Sequence, residues 1–157
     1  MLGILDMQQI ESLLYSEIVG RIGCHDENST YIVPISYAYD GEYIYCHTRE
    51  GKKLEMMRKN PRVCFEVDHQ ENMANWQSVI VWGTFEELKD VLLRAKALEQ
   101  LHRRIYPMIP SETVRLSRDW PFRPDELNRI EGVTFRILAG EKTGRYERTD
   151  DQPFFAS

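Results

Sequence analysis

The chain has 157 residues, and 42% of them are hydrophobic, which is enough to build the core of a single domain over residues 1–157. Its 20 basic and 25 acidic residues give a net charge of −5, and because no long basic run occurs we expect no nucleic-acid partner. The sequence has neither a run of about 18 apolar residues nor a signal peptide, so we expect no membrane contact and a cytoplasmic location.

The start of the chain predicts a helix followed by a strand. Residues 6–16 have an apolar face at helical spacing, and Asp6 is suited to cap the first turn. Residues 18–25 alternate as in a strand, and residues 26–29 supply a polar turn. We expect the helix to pack over one end of a sheet.

A second strand is predicted over residues 30–39, joined to a third at 42–47 by a two-residue turn at Asp40 and Gly41. Pro34 interrupts the second strand, because proline cannot donate a hydrogen bond to a sheet. This proline indicates either an edge strand or backbone groups that are left free to meet a flat ligand.

The third strand leads into a helix predicted over residues 52–59. Gly51, Lys52 and Lys53 stand at this junction, where unpaired N–H groups and the helix dipole favour an anion such as phosphate. Spacing alone also fits two ordinary solvated lysines. The helix is expected to stop before Pro61, since the residue preceding a proline is pushed out of helical conformation.

Two further strands are predicted at residues 62–68 and 76–88, with a polar loop at 69–75 between them. The second of these strands is apolar on both faces, with Ile80 and Trp82 opposite the residues that face the core. A strand covered on both sides in so small a protein indicates that its outer face meets another subunit. We therefore expect a homodimer.

Asp90 is expected to cap a helix that runs to about Tyr106. Residues 107–131 are rich in proline and aromatic residues, and we interpret them as a covering loop with at most a short helix at 125–130. The apolar stripe of the predicted helix consists of Val91, Ala95, Leu98, Leu101 and Ile105.

A last strand is predicted over residues 133–139 and 143–147, with a bulge near Gly140, and residues 148–157 are expected to form a flexible tail. The total is about six antiparallel strands with three helices at the ends and edges. So few strands indicate a small closed or split β-barrel.

The three cysteines are expected to be reduced thiols, because their number is odd and none forms a Cys-x-x-Cys pair. Cys24 and Cys46 each precede a histidine, which is a common metal ligand. Neighbouring residues on a strand point to opposite faces, however, so neither pair readily chelates one ion. We expect no metal site.

Five blocks of sequence occur in a particular order: VPISY at 33–37, YCH at 45–47, EGKKL at 50–54, NPRVCFEV at 60–67 and NWQSVIVWG at 75–83. In order and spacing they resemble the pyridoxamine 5′-phosphate oxidase-like family of FMN-binding split barrels, and within it the branch of nitroimidazole-resistance reductases. Residues 141–145 resemble this branch more weakly.

The resemblance implies a fold that is mainly β with peripheral helices, a six-stranded antiparallel split barrel. It also implies a homodimer with FMN in the groove between subunits, where a phosphate meets basic groups and a flavin ring meets an apolar bed. The implied cofactor-binding residues are Ile32, Val33, Pro34, Ile35, Ser36, Cys46, His47, Lys52, Lys53, Gln77 and Ser78.

His47 is also the implied catalytic residue, since an imidazole near the flavin can hydrogen-bond the cofactor or donate a proton to a reduced substrate. A lone histidine on a strand is equally typical of a structural residue. Both interpretations remain open at this point.

The resemblance implies an FMN-dependent oxidoreductase that reduces small oxidised molecules, such as nitro compounds or quinones, with NAD(P)H. Vitamin B6 phosphate is not expected as the substrate, because Ser36 stands where the oxidases of that vitamin carry a basic residue and the C-terminal Trp and Arg-Leu motif is missing. FAD is less expected than FMN, because no segment resembles a site for its adenylate half. The alternatives are a non-catalytic flavin-binding or redox-responsive protein, and a haem- or deazaflavin-binding split barrel.

Overall fold

The computed structural model describes residues 1–105 and 130–149. These residues form one sheet of eight strands together with three helices. The strands are β1 (Leu2–Ile4), β2 (Val19–Asp26), β3 (Ser29–Ser36), β4 (Ala38–Tyr39), β5 (Tyr43–Thr48), β6 (Arg62–Asn72), β7 (Asn75–Glu87) and β8 (Val133–Glu147). The helices are α1 (Met7–Ser16), α2 (Lys52–Lys59) and α3 (Val91–Ile105).

The sheet is antiparallel throughout, with the strand order β3-β2-β6-β7-β8-β5-β4 and β1 paired to β8. β3 also contacts β5, so the two ends of this order approach each other and the sheet curls into a split barrel. The predicted fold class is confirmed. The described residues contain two strands more than the predicted six, because β1 was not predicted and the expected second strand is divided into β3 and β4.

The division falls at Tyr37. Its backbone N–H donates to the carbonyl oxygen of Ile18 at 2.9 Å, and its buried hydroxyl donates to the carbonyl oxygen of Leu14 at 2.7 Å. Before this residue the chain pairs with β2, and after it the chain pairs with β5. Tyr37 therefore lies where the chain crosses from one side of the split to the other.

Helix α1 begins at Asp6 as predicted. The Asp6 carboxylate accepts from the N–H of Gln9 at 2.8 Å, and the Gln9 side-chain oxygen accepts from the N–H of Asp6 at 2.9 Å. This reciprocal pair is a capping box, which satisfies two backbone donors that the first turn leaves without partners. The buried face of the helix consists of Ile10, Leu13 and Leu14.

Helix α3 is capped by Asp90 as predicted, since its carboxylate accepts from the N–H groups of Leu92 and Leu93. The predicted apolar stripe was wrong at Val91, which is 64% exposed, because the buried residues of this helix begin only at Ala97. The side chain of Ile105 lies outside the described part of the chain. The residues that α3 buries against β4 and β5 are Ala97, Leu98 and Leu101.

The polar segment predicted as a loop at residues 69–75 is mostly strand. β6 continues to Asn72 and β7 begins at Asn75, so a tight turn at residues 73–74 joins them. This part of β6 is exposed, which explains why its residues are polar although its backbone is regular. Polarity indicated exposure here and not the absence of a strand.

The turn predicted at Asp40 and Gly41 lies one residue later in the chain. The N–H of Asp40 donates to the carbonyl oxygen of Tyr43 at 3.2 Å, and the Asp40 carboxylate accepts from the N–H groups of Glu42 and Tyr43. Gly41 has a φ of 98°, a conformation that favours glycine. The hairpin was predicted correctly, but its central residues were not.

The bulge predicted near Gly140 is confirmed, because Gly140 and Glu141 on β8 together oppose the single residue Trp82 on β7. Residues 106–129 and 150–157 lie outside the described part of the chain. They contain most of the predicted covering loop and most of the predicted tail.

The three cysteines are free thiols, with Cys24 and Cys46 buried and Cys64 half-buried. In residues 1–105 and 130–149, no group of three or more Cys, His, Asp and Glu side chains is placed to hold a metal ion. None of the described helices is both long and apolar enough to cross a membrane.

Candidate functional site

Helix α2 begins beside the split without a side-chain cap. Gly51 is its N-cap residue, and a Cβ atom added there would have no neighbour within 4 Å, so the space beside Gly51 is open. The first backbone N–H groups of a helix have no partners within the helix, and the helix dipole is positive at this end. The start of α2 therefore favours an anion.

The two lysines that follow Gly51 reach different strands. The ammonium nitrogen of Lys52 lies 5.2 Å from the ring centroid of Tyr31 on β3. Burial raises the pKa of the Cys24 and Cys46 thiols, and the positive charge of Lys53 partly lowers it, which places Lys53 near both β2 and β5. The lysines thus connect α2 to three strands around the split.

Strand β3 is the terminal strand of the sheet, so one of its edges pairs with β2 and the other faces the split. The edge-strand interpretation of Pro34 is confirmed. Ile32 and Pro34 are exposed, Val33 is half-buried, and Ile35 and Ser36 are buried. Contact between this edge and a flat ligand stays a prediction.

His47, near the end of β5, is buried, and both of its ring nitrogens have partners. Its Nε2 atom lies 2.8 Å from the carbonyl oxygen of Glu131, and its Nδ1 atom lies 3.0 Å from the hydroxyl of Thr134. A carbonyl can only accept, so Nε2 carries the proton and Nδ1 accepts from the hydroxyl. Burial lowers the pKa of His47 to about 4, so the ring is neutral near pH 7.

Gly132 packs against this imidazole in a conformation that favours glycine, with a φ of 101°. A Cβ atom at this position would lie 2.7 Å from the carbonyl oxygen of Thr48 and 2.9 Å from Nε2 of His47. His47 and Gly132 together fix the chain just before β8 begins. The geometry therefore gives His47 a positioning role at the end of the barrel strand.

Nine of the eleven predicted cofactor-binding residues lie on the elements that surround the split. They are Ile32, Val33, Pro34, Ile35 and Ser36 on β3, Cys46 and His47 on β5, and Lys52 and Lys53 at the start of α2. Tyr31, which contacts Lys52, was not predicted, because neither its own position nor the spacing of the lysines indicated their contact.

Gln77 and Ser78 are not brought to the split of the same chain. They lie on β7, which is three strands from β3 and two strands from β5; at strand spacing these separations are roughly 14 Å and 10 Å. The Ser78 hydroxyl donates to the Glu66 carboxylate at 3.0 Å, and that carboxylate also pairs with Arg21. Gln77 lines a separate polar cavity of about 220 Å³ beside His69.

A larger cavity of about 760 Å³ lies over the sheet from β3 to β8, and Ile32 is the one predicted cofactor-binding residue in its lining. Strand register decides which residues line it, and register is not visible in a single strand pattern. Sequence reasoning therefore did not predict this cavity, although alternation in residues 18–25 does place Gly23 and His25 on one face. The lining consists of Gly23, Cys24, His25, Thr30, Ile32, Arg62, Val63, Cys64, Trp82, Gly83, Thr84, Leu138, Ala139 and Gly140. We call this cavity the outer groove.

Comparison with known proteins gives a family match over most of the chain. The profile of the pyridoxamine 5′-phosphate oxidase family matches residues 6–145. The chain is also 31% identical over 85 residues to an uncharacterized protein of Rhizobium meliloti (strain 1021). That match covers 54% of this chain and 56% of the other, so it spans little more than half the length of the curated relative.

Solved structures share the fold. A protein from Mesorhizobium loti described as FAD-binding is 29% identical, with a TM-score of 0.73, and the match covers 93% of this chain and 98% of that one. A candidate 5-nitroimidazole antibiotic resistance protein from Bacteroides thetaiotaomicron is 22% identical, with a TM-score of 0.69 and coverage of 93% and 87%. The second likeness concerns the fold alone.

Proposed function

Because this chain belongs to the pyridoxamine 5′-phosphate oxidase family, we propose that it is a flavin-dependent oxidoreductase that acts on small oxidised molecules. The proposed electron acceptors are nitro compounds or quinones, and the proposed donor is NAD(P)H. The similar Mesorhizobium loti protein, described as FAD-binding, supports a flavin cofactor. The acceptor class rests on the resemblance of the five sequence blocks.

The observation that carries this proposal is the meeting of three elements at the split. The uncapped start of α2, its neighbours Lys52 and Lys53, and the free edge of β3 lie together. A flavin phosphate requires positive charge and N–H donors, and the start of α2 offers both beside the open position at Gly51. The residues present therefore fit the phosphate end of a flavin.

The rest of the flavin would lie along the free edge of β3. Ile32, Val33 and Pro34 would supply an apolar bed, and the backbone of β3 that β2 does not pair would supply hydrogen bonds to the ring. Ile35, Ser36 and Cys46 are buried behind this edge and would hold its shape. A bound flavin would supply the electron transfer itself, and these residues would bind and orient it.

The proposed role of His47 is positioning. Its pKa of about 4 keeps it neutral near pH 7, and its one proton is donated to the carbonyl oxygen of Glu131. A proton that is held in this bond is poorly placed for transfer to a substrate. We therefore favour solvent as the proton source during turnover, with His47 fixing the end of β5 next to the cofactor.

A homodimer would explain why Gln77 and Ser78 resemble cofactor residues although β7 is three strands from β3 and two strands from β5. Ile80 is half-buried and Trp82 is 44% exposed, and both occupy the outer face of β7, the face that we propose meets a second copy. Such a copy would bring its own Gln77 and Ser78 near the first chain's split. The proposed partner set is thus a second copy and a small-molecule substrate.

The proposed cofactor at the split is FMN, either as the free mononucleotide or as the corresponding half of FAD. Both flavins carry the same riboflavin phosphate, which is the group that Lys52 and Lys53 would hold. A deazaflavin or haem remains the alternative from the sequence resemblance. The absorbance spectrum of the purified protein distinguishes flavin, deazaflavin and haem.

A second candidate function is a flavin-binding or redox-responsive protein without a dedicated substrate. The observation that favours it is the engagement of both His47 nitrogens by protein groups, which removes the proton donor that the resemblance implied. In this case the flavin would respond to the redox state of its surroundings. The binding residues would be the same as for the enzyme.

Anaerobic stopped-flow spectroscopy separates the two functions. The flavin-loaded protein is mixed with NADH or NADPH, and the reduced protein is then mixed with a panel of nitroimidazoles and quinones. An enzyme of the proposed class shows bleaching of the flavin by a nucleotide and fast reoxidation by at least one acceptor. Absence of both steps, with chemically reduced protein also inert towards the panel, would leave the binding protein as the function.

A further inference from the structure

Tyr31 on β3 stands beside both lysines at the start of α2. Its ring centroid lies 5.2 Å from the ammonium nitrogen of Lys52. Its partner across the β2–β3 ladder is Cys24, a buried thiol whose pKa is raised by burial and partly lowered by the positive charge of Lys53. Paired residues in an antiparallel sheet point to the same face, so Tyr31 and Cys24 lie side by side. Tyr31 is therefore in contact with Lys52 and near Lys53.

The hydroxyl of Tyr31 has no hydrogen-bond partner in the described part of the chain, and it is not a fully buried atom. The tyrosines in the interior of the fold differ in this respect. The hydroxyls of Tyr37, Tyr39 and Tyr45 each donate to a protein oxygen, at distances of 2.7, 2.7 and 2.8 Å. A tyrosine that is held by packing and has an unused O–H group can donate to a ligand.

We propose that Tyr31 is a phosphate-binding residue of the split, whose hydroxyl donates to the phosphate and whose ring holds the ammonium group of Lys52 beside it. This inference rests on the proposed flavin function and adds a residue that the sequence resemblance did not imply. The start of α2 would supply N–H donors, and its two lysines would supply charge. Tyr31 would supply a neutral donor on the opposite side of the anion.

The charges around Tyr31 suit an anion. Neither Lys52 nor Lys53 forms an ion pair with a carboxylate of the described residues, although Glu55 lies on the first turn of the same helix. The Glu50 carboxylate, just before the helix, is held by Arg58 through two hydrogen bonds of 2.8 Å. A phosphate that enters here therefore meets two cations that no protein carboxylate neutralises.

The ring of Tyr31 restricts where Lys52 can go. A free lysine side chain samples many rotamers, so a phosphate that binds it must first order it. The separation of 5.2 Å lies within the distance of about 6 Å over which an aromatic face attracts an ammonium group. Lys52 is thus partly ordered before a ligand arrives. Tyr31 therefore also has a positioning role, which it exerts through Lys52.

Three variants separate phosphate binding from packing, because the ring of Tyr31 also packs against the buried core. Tyr31→Phe keeps the ring and removes only the hydroxyl. Tyr31→Leu removes the ring as well. Tyr15→Phe is the matched control, since Tyr15 is 49% exposed on α1, away from the elements that surround the split. Circular dichroism checks that each variant is folded.

The test measures the affinities of FMN and riboflavin by fluorescence quenching, because these two ligands differ only in the phosphate. Wild type should bind FMN more tightly than riboflavin. Tyr31→Phe should weaken FMN roughly tenfold, as expected for loss of a hydrogen bond to a charged group, and should leave riboflavin unchanged. Tyr31→Leu should weaken FMN by roughly a further threefold, through the loss of the contact with Lys52. Tyr15→Phe should change neither affinity.

The positioning role is tested in a Lys52→Gln background. If the ring acts through Lys52, the further loss on going from Tyr31→Phe to Tyr31→Leu disappears when Lys52 is replaced. A further loss of the same size in both backgrounds would show that the ring does not act through Lys52, and the positioning role would be wrong.

Equal affinity of wild type for FMN and riboflavin would overturn the inference while the flavin function survived. The same holds if Tyr31→Phe leaves FMN affinity unchanged or weakens both ligands equally. If wild type binds neither flavin, the proposed function fails, and thermal unfolding with inorganic phosphate decides the inference by itself. The inference then stands if phosphate raises the Tm of wild type more than that of Tyr31→Phe, and equal shifts overturn it.

Discussion

The Nε2 atom of His47 lies 2.8 Å from the carbonyl oxygen of Glu131, which is 84 positions further along the chain. This hydrogen bond connects the end of β5 to the residues that lead into β8, and the Thr134 hydroxyl holds the other ring nitrogen. A buried neutral imidazole with two protein partners makes folding sensitive to acid, because the unfolded chain binds a proton that the folded chain excludes.

The first prediction is that His47→Gln flattens the acid side of the stability profile. The pKa of His47 is about 4 in the folded protein against an ordinary value of 6.5. The stability that the neutral imidazole gives to the folded state is therefore fully present above about pH 6.5 and is lost as the pH falls towards 4. The full pKa shift corresponds to a loss of about 3 kcal/mol in the free energy of unfolding. Urea unfolding between pH 4 and 7 should show the variant losing less stability than wild type. Parallel profiles for the two proteins would contradict a neutral buried imidazole.

The second prediction concerns the anion site at α2. Lys53→Ala should weaken FMN binding roughly 10- to 150-fold, because a hydrogen bond to a charged group contributes about 1.5–3 kcal/mol. Lys59→Ala is the matched control, since Lys59 lies at the other end of the same helix and its side chain is 70% exposed. The measurement is FMN fluorescence quenching. Equal affinities in Lys53→Ala and Lys59→Ala would place the phosphate elsewhere.

The third prediction tests the oligomeric state. Light scattering should give wild type a mass of twice the 18.6 kDa of the chain. Ile80→Asp should lower the measured mass to that of the monomer. A carboxylate at this position would be buried without a partner in the proposed interface, beside Glu66 on the neighbouring strand. Leu92→Asp is the control, because Leu92 is 80% exposed on α3. Wild type that is monomeric with flavin tightly bound would refute the dimer.

The fourth prediction concerns the capping box of α1. Asp6→Ala should lower the free energy of unfolding by about 1 kcal/mol, because the N–H of Gln9 loses its acceptor. Thermal unfolding should show a decrease in Tm of roughly 2–4 °C for a domain of this size. Gln8→Ala, on the exposed side of the same turn, should leave Tm unchanged. A similar loss in both variants would mean that the cap contributes nothing specific.

Local sequence patterns determined where many elements begin, end and bury their side chains. Asp6 and Asp90 cap helices as predicted, α2 ends before Pro61, and the bulge lies at Gly140. Each of these features depends on residues within about four positions of one another, or on whether one proline or glycine permits a backbone conformation. The blocks that resemble the family also stand in the sequence itself, and they led to the split barrel.

Only the tertiary structure decided which strands meet. The strand pattern continues through Tyr37, yet the chain changes its pairing partner there, because Tyr37 donates to Leu14 on α1 and to Ile18 just before β2. Only the folded chain likewise pairs Gly23 with Cys64 and Cys64 with Trp82. It also forms the hydrogen bond between His47 and Glu131. These contacts depend on register between distant segments, and a shift of one residue would turn every side chain to the opposite face. Periodicity within one strand contains no information about that register, so the outer groove and the partners of His47 became visible only in the folded chain.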